Sequence, residues 1–210
     1  MDAVPLVYVV DGDAAVRMAQ RRLFEADGLA VQAFGAAVDF LRSHDRELPG
    51  CVVLDLRLPD LDGLALQQSL LAAGCERELV FMTGCGAVAD SVRAMKAGAA
   101  DFLTRPCADD VLLGAVHAAL ARDATRRRVR RELQAIRCRL DSLTPREHQV
   151  LQHVVGGRLN KQIAADLGVA EKTIKVHRAR AMEKMGASSL AELVRKTFEL
   201  EVGVVVRGLV

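Results

Sequence analysis

The chain has 210 residues, 51% of them apolar, and its 29 Lys and Arg nearly balance 27 Asp and Glu. That length suits two small domains, each with enough apolar residues for a core of its own. No apolar run is long enough to span a bilayer, and residues 1–5 carry Asp2 and no basic stretch, unlike a secretory signal. A cytoplasmic protein with no membrane partner is therefore expected.

The near-neutral total hides an asymmetry. Residues 1–121 hold 10 Lys and Arg against 17 Asp and Glu, a net −7, while residues 122–210 hold 19 against 10, a net +9. An acidic half joined to a basic half points to one nucleic-acid-binding domain and one that avoids phosphate backbones. The five cysteines, Cys51, Cys75, Cys85, Cys107 and Cys138, are scattered and form no C-x-x-C pair. That pattern argues against a disulfide framework or a zinc site and reads as small buried apolar residues. A redox role for Cys85 or Cys107 would need a thiolate-stabilising environment.

Taken in chain order, the first half alternates two periods. Short β-branched runs fall at 6–10, 29–33, 51–54, 79–82 and 101–103. Helical spacing fills 13–26, 36–43, 64–73, 87–97 and the stretch from 109 onward. VYVV and CVVL are apolar on both faces, as strands between two helical layers must be. The repetition predicts an α/β, doubly wound, five-stranded parallel sheet over residues 1–121. Residues 122–141 contain no Pro or Gly and predict a long helical linker. In it Val129, Leu133, Ile136, Leu140 and Leu143 are spaced as a coiled-coil seam, or as a face packed back on the chain's own domains. The Arg cluster at 126–131 reads as a solvated face.

The second half is all-α. Thr144-Pro145-Arg146-Glu147 has the form of an N-cap, Pro at N1 and Glu at N3, opening a helix over 145–155. Asn160 reads as the cap of a helix over 161–167, Gly168 as a turn, and 171–185 as a third helix ended by Gly186. Ser188 or Ser189 opens a last helix to about residue 200. This makes a four-helix domain over 142–200, followed by an apolar tail, 201–210, that suits an added strand, a dimer contact or disorder.

Two sets of residues carry chemistry. In a doubly wound sheet the strand ends converge on one crevice. Asp11 and Asp55 end strands there, with Asp13 two residues after Asp11, Thr83 ending the fourth strand and Arg105 following the fifth. Gathered carboxylates suit a hard divalent cation such as Mg²⁺, and a carboxylate can accept a phosphoryl group. The bland alternative is a set of helix caps, a role that Asp13 and Asp109 suit well. In the second half, NKQIAADLGVAEKTIKVHRARAMEKM has helix-turn-helix form. Ile163, Ala164 and Leu167 make an apolar face that Val169 and Ile174 cover. Lys172, Thr173, Lys175, Val176, His177, Arg178 and Arg180 are left outside, as a helix entering the major groove requires.

The motifs VVDGDAAVR, VLDLRLPDLDG, FMTGCG and AMKAGAADFL, with the turn at Pro106, resemble the receiver domain of two-component response regulators of the NarL/FixJ family, with its flavodoxin-like fold. LTPREHQVL, NKQIA and KTIKVHRARAMEKM resemble the LuxR-type DNA-binding domain. The resemblance implies a dimerising transcription regulator, not an enzyme, that binds double-stranded DNA and answers a sensor histidine kinase. By it Asp55 is the phosphoacceptor, and Asp11, Asp55 and the Arg57 carbonyl hold Mg²⁺. Thr83 and Arg105 contact the phosphoryl group, and Thr83 with Phe102 relays the change. Lys175, Val176 and Ala179 face bases, while Lys161, Lys172, Thr173, His177, Arg178 and Arg180 lie near phosphates. Leu190, Leu193, Val194 and Thr197 form a homodimer contact on the last helix.

Two positions depart from the family pattern. Gly12 stands where the family has a second acidic residue, which weakens the metal site unless Asp13 substitutes. Arg105 stands where the family has Lys, and its larger fork could pair with Asp55. An alternative of the same architecture is a phosphorylation-independent regulator whose receiver serves only to dimerise. An aspartyl-phosphate hydrolase ranks lower, because Arg57 stands where such enzymes need a second Asp.

Overall fold

The structure, a computed structural model, describes residues 4–84 and 88–207. The expectations for Cys85, for a helix start at Ala87 and for residues 208–210 lie outside the described residues. The chain divides into two compact units, Met1–Arg127 and Arg128–Val210.

In the first unit five strands, β1 (Leu6–Val10), β2 (Ala30–Phe34), β3 (Gly50–Leu54), β4 (Glu78–Thr83) and β5 (Asp101–Thr104), alternate with helices. The helices are α1 (Ala14–Ala26), α2 (Ala37–Ser43), α3 (Gly63–Ala72), α4 (Val88–Lys96) and α5 (Asp109–Asp141). All strand pairs are parallel, in the order β2-β1-β3-β4-β5. The predicted α/β doubly wound sheet is thus the observed fold. Alternation along each strand sorts the core into two layers. Tyr8, Val10, Val52, Leu54, Leu79 and Phe81 pack with Phe40, Leu66, Leu70 and Ala94 on one face. Val7, Val9, Cys51, Val53, Val80 and Met82 pack with Phe24, Leu112, Val116 and Ala119 on the other. Cys51 and Cys75 are buried and form no disulfide, as their apolar reading expected, whereas Cys107 is half-buried and Cys138 is exposed, which corrects that reading for Cys138.

The Arg cluster is largely solvated, as expected: Arg126, Arg128, Arg130 and Arg131 are exposed and Arg127 is half-buried. Two of its members also make contacts that the sequence did not show. Arg127 is bidentate to Asp123, with Nε at 2.9 and 3.1 Å from its two oxygens, and its remaining N–H groups donate to the carbonyls of Arg46, Glu47 and Leu48. Arg126 pairs with the buried Glu78 carboxylate. Burial pushes the Glu78 carboxyl up, and Arg126 pulls it back. Asp123, itself buried, accepts the Gly50 N–H at 2.9 Å. Residues 122–127 of the expected linker therefore belong to the first unit.

The second unit holds the rest of α5 with α6 (Pro145–Val155), α7 (Asn160–Leu167), α8 (Glu171–Met185) and α9 (Leu190–Arg207). Its core joins Ile136 of α5 to Val150, Leu151, Val154, Ile163, Ala164, Ile174, Ala181, Met185 and Leu193, with Leu140 and Leu143 packed against it. The C-terminal part of the 129–143 stripe thus covers its own domain, while Val129 stays 45% exposed. Residues 201–207, expected as a separate tail, continue α9 as helix. Among the described residues no helix is long and apolar enough to cross a membrane.

Gly50 is the tightest point of the sheet. Its φ is +150°, and a Cβ there would lie 1.9 Å from the Leu6 carbonyl oxygen of the paired strand. Gly50→Ala should lower stability by about 3 kcal/mol in urea denaturation; a change within 0.5 kcal/mol would count against this packing constraint.

Candidate functional site

The carboxyl ends of β1, β3, β4 and β5 gather the residues that the sequence singled out. Asp11 follows β1 and is buried, 2% exposed. One of its oxygens accepts the Asp13 N–H at 2.8 Å, and the other accepts an N–H of Arg105. Asp55 follows β3 and is half-buried. Its Oδ2 accepts the Arg57 N–H at 3.3 Å. Its Oδ1 is shielded, accepts no hydrogen bond among the described residues, and lies 3.8 Å from the Arg105 guanidinium. Burial first, then the charge of Asp11, pushes the Asp55 carboxyl up; Arg105 opposes both. Thr83 ends β4 and is 1% exposed. Phe102 of β5 is half-buried and stacks on Phe81 of β4, with ring centroids 5.9 Å apart.

The loop after β3 is held by caps. Asp60 accepts the Ala37 and Val38 N–H groups at 3.0 and 2.8 Å, so it caps α2 from a distance. These hydrogen bonds, that of Val38 foremost, hold its carboxyl below the ordinary value. Asp62 accepts the Leu64 N–H at 2.9 Å and caps α3. The sequence reading missed both roles; the Asp directly before the Gly63 helix start was a local signal for Asp62, while the contact of Asp60 is non-local.

Asp13 caps α1, its Oδ1 accepting the Ala15 and Val16 N–H groups at 2.8 and 3.4 Å, the cap role that the sequence allowed. Arg105 stands at ion-pair distance from Asp55, 3.8 Å, and hydrogen-bonds Asp11. A Cβ built on Gly12 would lie 3.9 Å from the Arg57 carbonyl oxygen and 3.3 Å from Pro59 Cδ. Position 12 therefore faces the same pocket as Arg57. Asp11, Asp55 and that carbonyl are oxygen donors of the kind a hard divalent cation takes, and they fit one in chemistry. Among the described residues no group of three or more His, Cys, Asp or Glu is assembled for a metal.

In the second unit, α8 carries its cations outward. Lys172, Thr173, Lys175, Val176, Ala179 and Arg180 are exposed, His177 and Arg178 are half-buried, and Lys161 is exposed on α7. Asn160 is not the cap of α7: its side-chain oxygen accepts from Arg178 at 3.1 Å and ties α7 to α8, while Gln162 accepts the Leu159 N–H. Gly168, left-handed at φ +64°, makes the turn between the two helices. The far end of α8 is also braced. Lys184 reaches Glu147 at 2.7 Å, inside the predicted Thr144–Glu147 capping box. Lys196 of α9 donates to the carbonyls of Met185 and Gly186.

On α9 the expected dimer face is partly wrong. Leu193 is 1% exposed and belongs to the core, so it is not free for a partner. Leu190 and Val194 are exposed and Thr197 is half-buried. Phe198, 62% exposed, extends their row and was missed, though the spacing 190, 194, 198 contained it.

Receiver geometry in one unit and a helix-turn-helix in the other define a response regulator with a DNA-binding output. The comparisons agree. Residues 7–117 match the response regulator receiver domain, and residues 141–197 match the bacterial regulatory proteins of the luxR family. The chain belongs to the two-component response regulators of NarL/FixJ type. It is 44% identical to Nodulation protein W of Bradyrhizobium diazoefficiens, over 90% of this chain and 84% of the relative. It is 44% identical to the transcriptional regulatory protein FixJ of Azorhizobium caulinodans, over 90% of each. The solved structure of the response regulator StyR matches with a TM-score of 0.88 at 43% identity, covering 94% of this chain and 100% of that one.

The brace under α8 has a pH signature. Lys184's hydrogen bond, then the Thr144 N–H, holds the Glu147 carboxyl at about 2, against an ordinary 4.5. A value depressed on folding contributes stability that is complete above pH 4.5 and is lost as pH falls toward about 2. The urea midpoint of the wild type should fall more steeply across that window than that of Glu147→Gln. Parallel curves for the two proteins would remove Glu147 from the account.

Proposed function

We propose that the chain is a DNA-binding transcription regulator switched by phosphorylation of Asp55. The observation that carries this reading is the Asp55 carboxylate itself: half-buried at a strand end, with one oxygen accepting no hydrogen bond among the described residues and facing Arg105 beside Asp11. That oxygen attacks the phosphorus of a donor, forming an acyl phosphate. The bond from phosphorus to the donor breaks, and its electron pair leaves with the donor.

The donor is expected to be the phosphohistidine of a sensor kinase. Arg105 is placed to meet the charge of the incoming phosphoryl oxygens, and Thr83 to offer a hydroxyl. Asp11, Asp55 and the Arg57 carbonyl would hold a Mg²⁺ ion, which when bound offsets phosphoryl charge. Phe102, stacked across β4 and β5, relays the change to the outer face of the receiver as a shift between two populations.

The output is α8 in the major groove. Lys175, Val176 and Ala179 read base edges, and Lys161, Lys172, Thr173, His177, Arg178 and Arg180 lie near phosphates. Exposure of most of this set and the basic charge of residues 122–210 support it. A homodimer through Leu190, Val194, Thr197 and Phe198 would present two such helices to a two-fold site. The cytoplasm is where such a partner set is met.

Two experiments test the reading. With Mg²⁺ and a small phosphodonor, the intact chain should gain the mass of one phosphoryl group, and Asp55→Asn should gain none. Equal labelling of both, or none in either, refutes it. On a duplex selected from random sequences, Arg180→Ala should weaken binding about tenfold at low salt and flatten the salt dependence by about one unit of slope. An unchanged slope would remove Arg180 from the phosphate contacts.

A further inference from the structure

We infer that Arg105 is a tethered counter-cation that competes with a divalent ion for Asp11, so that this receiver binds Mg²⁺ weakly until Arg105 leaves. The inference rests on the phosphoacceptor reading above for its consequence, while the competition itself is carried by geometry.

Asp11 is buried and both its oxygens are engaged, one by the Asp13 N–H and one by Arg105. Arg105 is held at that place from two further directions. Its guanidinium also donates to the Met82 carbonyl at 3.0 Å, and its backbone N–H donates to the Thr83 carbonyl at 2.8 Å. A guanidinium does not lose its charge at any working pH. A divalent ion on Asp11 would therefore meet a fixed positive charge at the carboxylate oxygen it needs, with the other carboxylate, Asp55, only 3.8 Å from that same charge.

Position 12 removes the usual remedy. It faces the Arg57 carbonyl, where a carboxylate would add a negative ligand, and it holds glycine. Asp13 is committed to the cap of α1. The pocket thus offers two carboxylates, one of them already neutralised from within the chain. Arg105 does in part what a metal does there: it offsets the repulsion between Asp11 and Asp55.

The competition makes a directional claim about Mg²⁺ alone. Isothermal titration of Mg²⁺ into the full chain should give weak binding for the wild type. Arg105→Gln, which keeps bulk and a hydrogen-bond donor but loses the charge, should bind Mg²⁺ about tenfold more tightly or better. Gly12→Asp should also bind more tightly, provided Pro59 yields a few tenths of an ångström. Circular dichroism melts without and with Mg²⁺ give a second readout that also checks folding: the Mg²⁺-dependent rise in Tm should be larger in Arg105→Gln than in the wild type.

Mg²⁺ affinity and Tm rise that stay the same or fall in Arg105→Gln would overturn the inference. If Arg105→Gln does not fold, Arg105→Lys replaces it. Its shorter point charge should release Asp11 in part and tighten Mg²⁺ binding, and equal or weaker binding would overturn the inference just as well. Phosphodonor labelling of the same proteins separates the two claims. Tighter Mg²⁺ binding in Arg105→Gln, with no phosphoryl group on Asp55 of the wild type, upholds the competition and refutes the phosphoacceptor reading. Labelling with unaltered Mg²⁺ affinity does the reverse.

Discussion

Two carboxylates set at the ends of adjacent parallel strands repel each other, and the first unit is organised around the cation that answers them. Strand order β2-β1-β3-β4-β5 puts Asp11 and Asp55 side by side and returns the chain after β5 to the same end. Arg105 arrives there and reaches both. In the proposed mechanism, adding a phosphoryl group or a divalent ion changes the local charge of this cluster and makes Arg105 choose a partner. Asp60 and Asp62 fix the β3–α3 loop through helix caps, which steadies the backbone around Asp55 and Arg57.

The second unit uses charge in another way. Its buried carboxylate, Glu147, is satisfied by a capping box and by Lys184, and Lys196 covers the carboxyl end of α8. These contacts fix both the angle and the end of the helix that presents Lys172, Lys175 and Arg180 outward. Cations turned inward brace the helix, and those turned outward are the ones proposed to meet phosphates. The excess of Lys and Arg in residues 122–210 covers both groups, which net charge alone does not separate.

Most of the fold was legible from periodicity. VYVV and CVVL read as two-sided buried strands and are so. Thr144 to Glu147 read as a capping box and is one. Local patterns reveal such features because their causes are local. The errors have non-local causes. Asp60 caps a helix 22 residues before it, and Arg127 binds carbonyls about 80 residues away, so neither role is encoded in spacing. Asn160 looked like a helix cap until α8 brought Arg178 beside it. Leu193 looked like part of an exposed row, but α9 is rotated so that Leu193 fills the core and Phe198 is left outside. For the site, the structure brings Asp11, Asp55, Thr83 and Arg105 to one end of the sheet, as the strand pattern implied; what spacing does not encode is that Arg105 Nη2 donates to Asp11 and to the Met82 carbonyl on the neighbouring strand while standing 3.8 Å from Asp55.

The central claim is that the charge state of the Asp55 crevice governs how the second unit meets DNA. The most direct measurement is the affinity of the full chain for a selected duplex at fixed salt, before and after treatment with a small phosphodonor, in wild type and Asp55→Asn. The account predicts that treatment shifts the affinity of the wild type by at least about fivefold and leaves Asp55→Asn unmoved. Wild-type affinity that is the same before and after treatment, with Asp55 demonstrably phosphorylated, would contradict it.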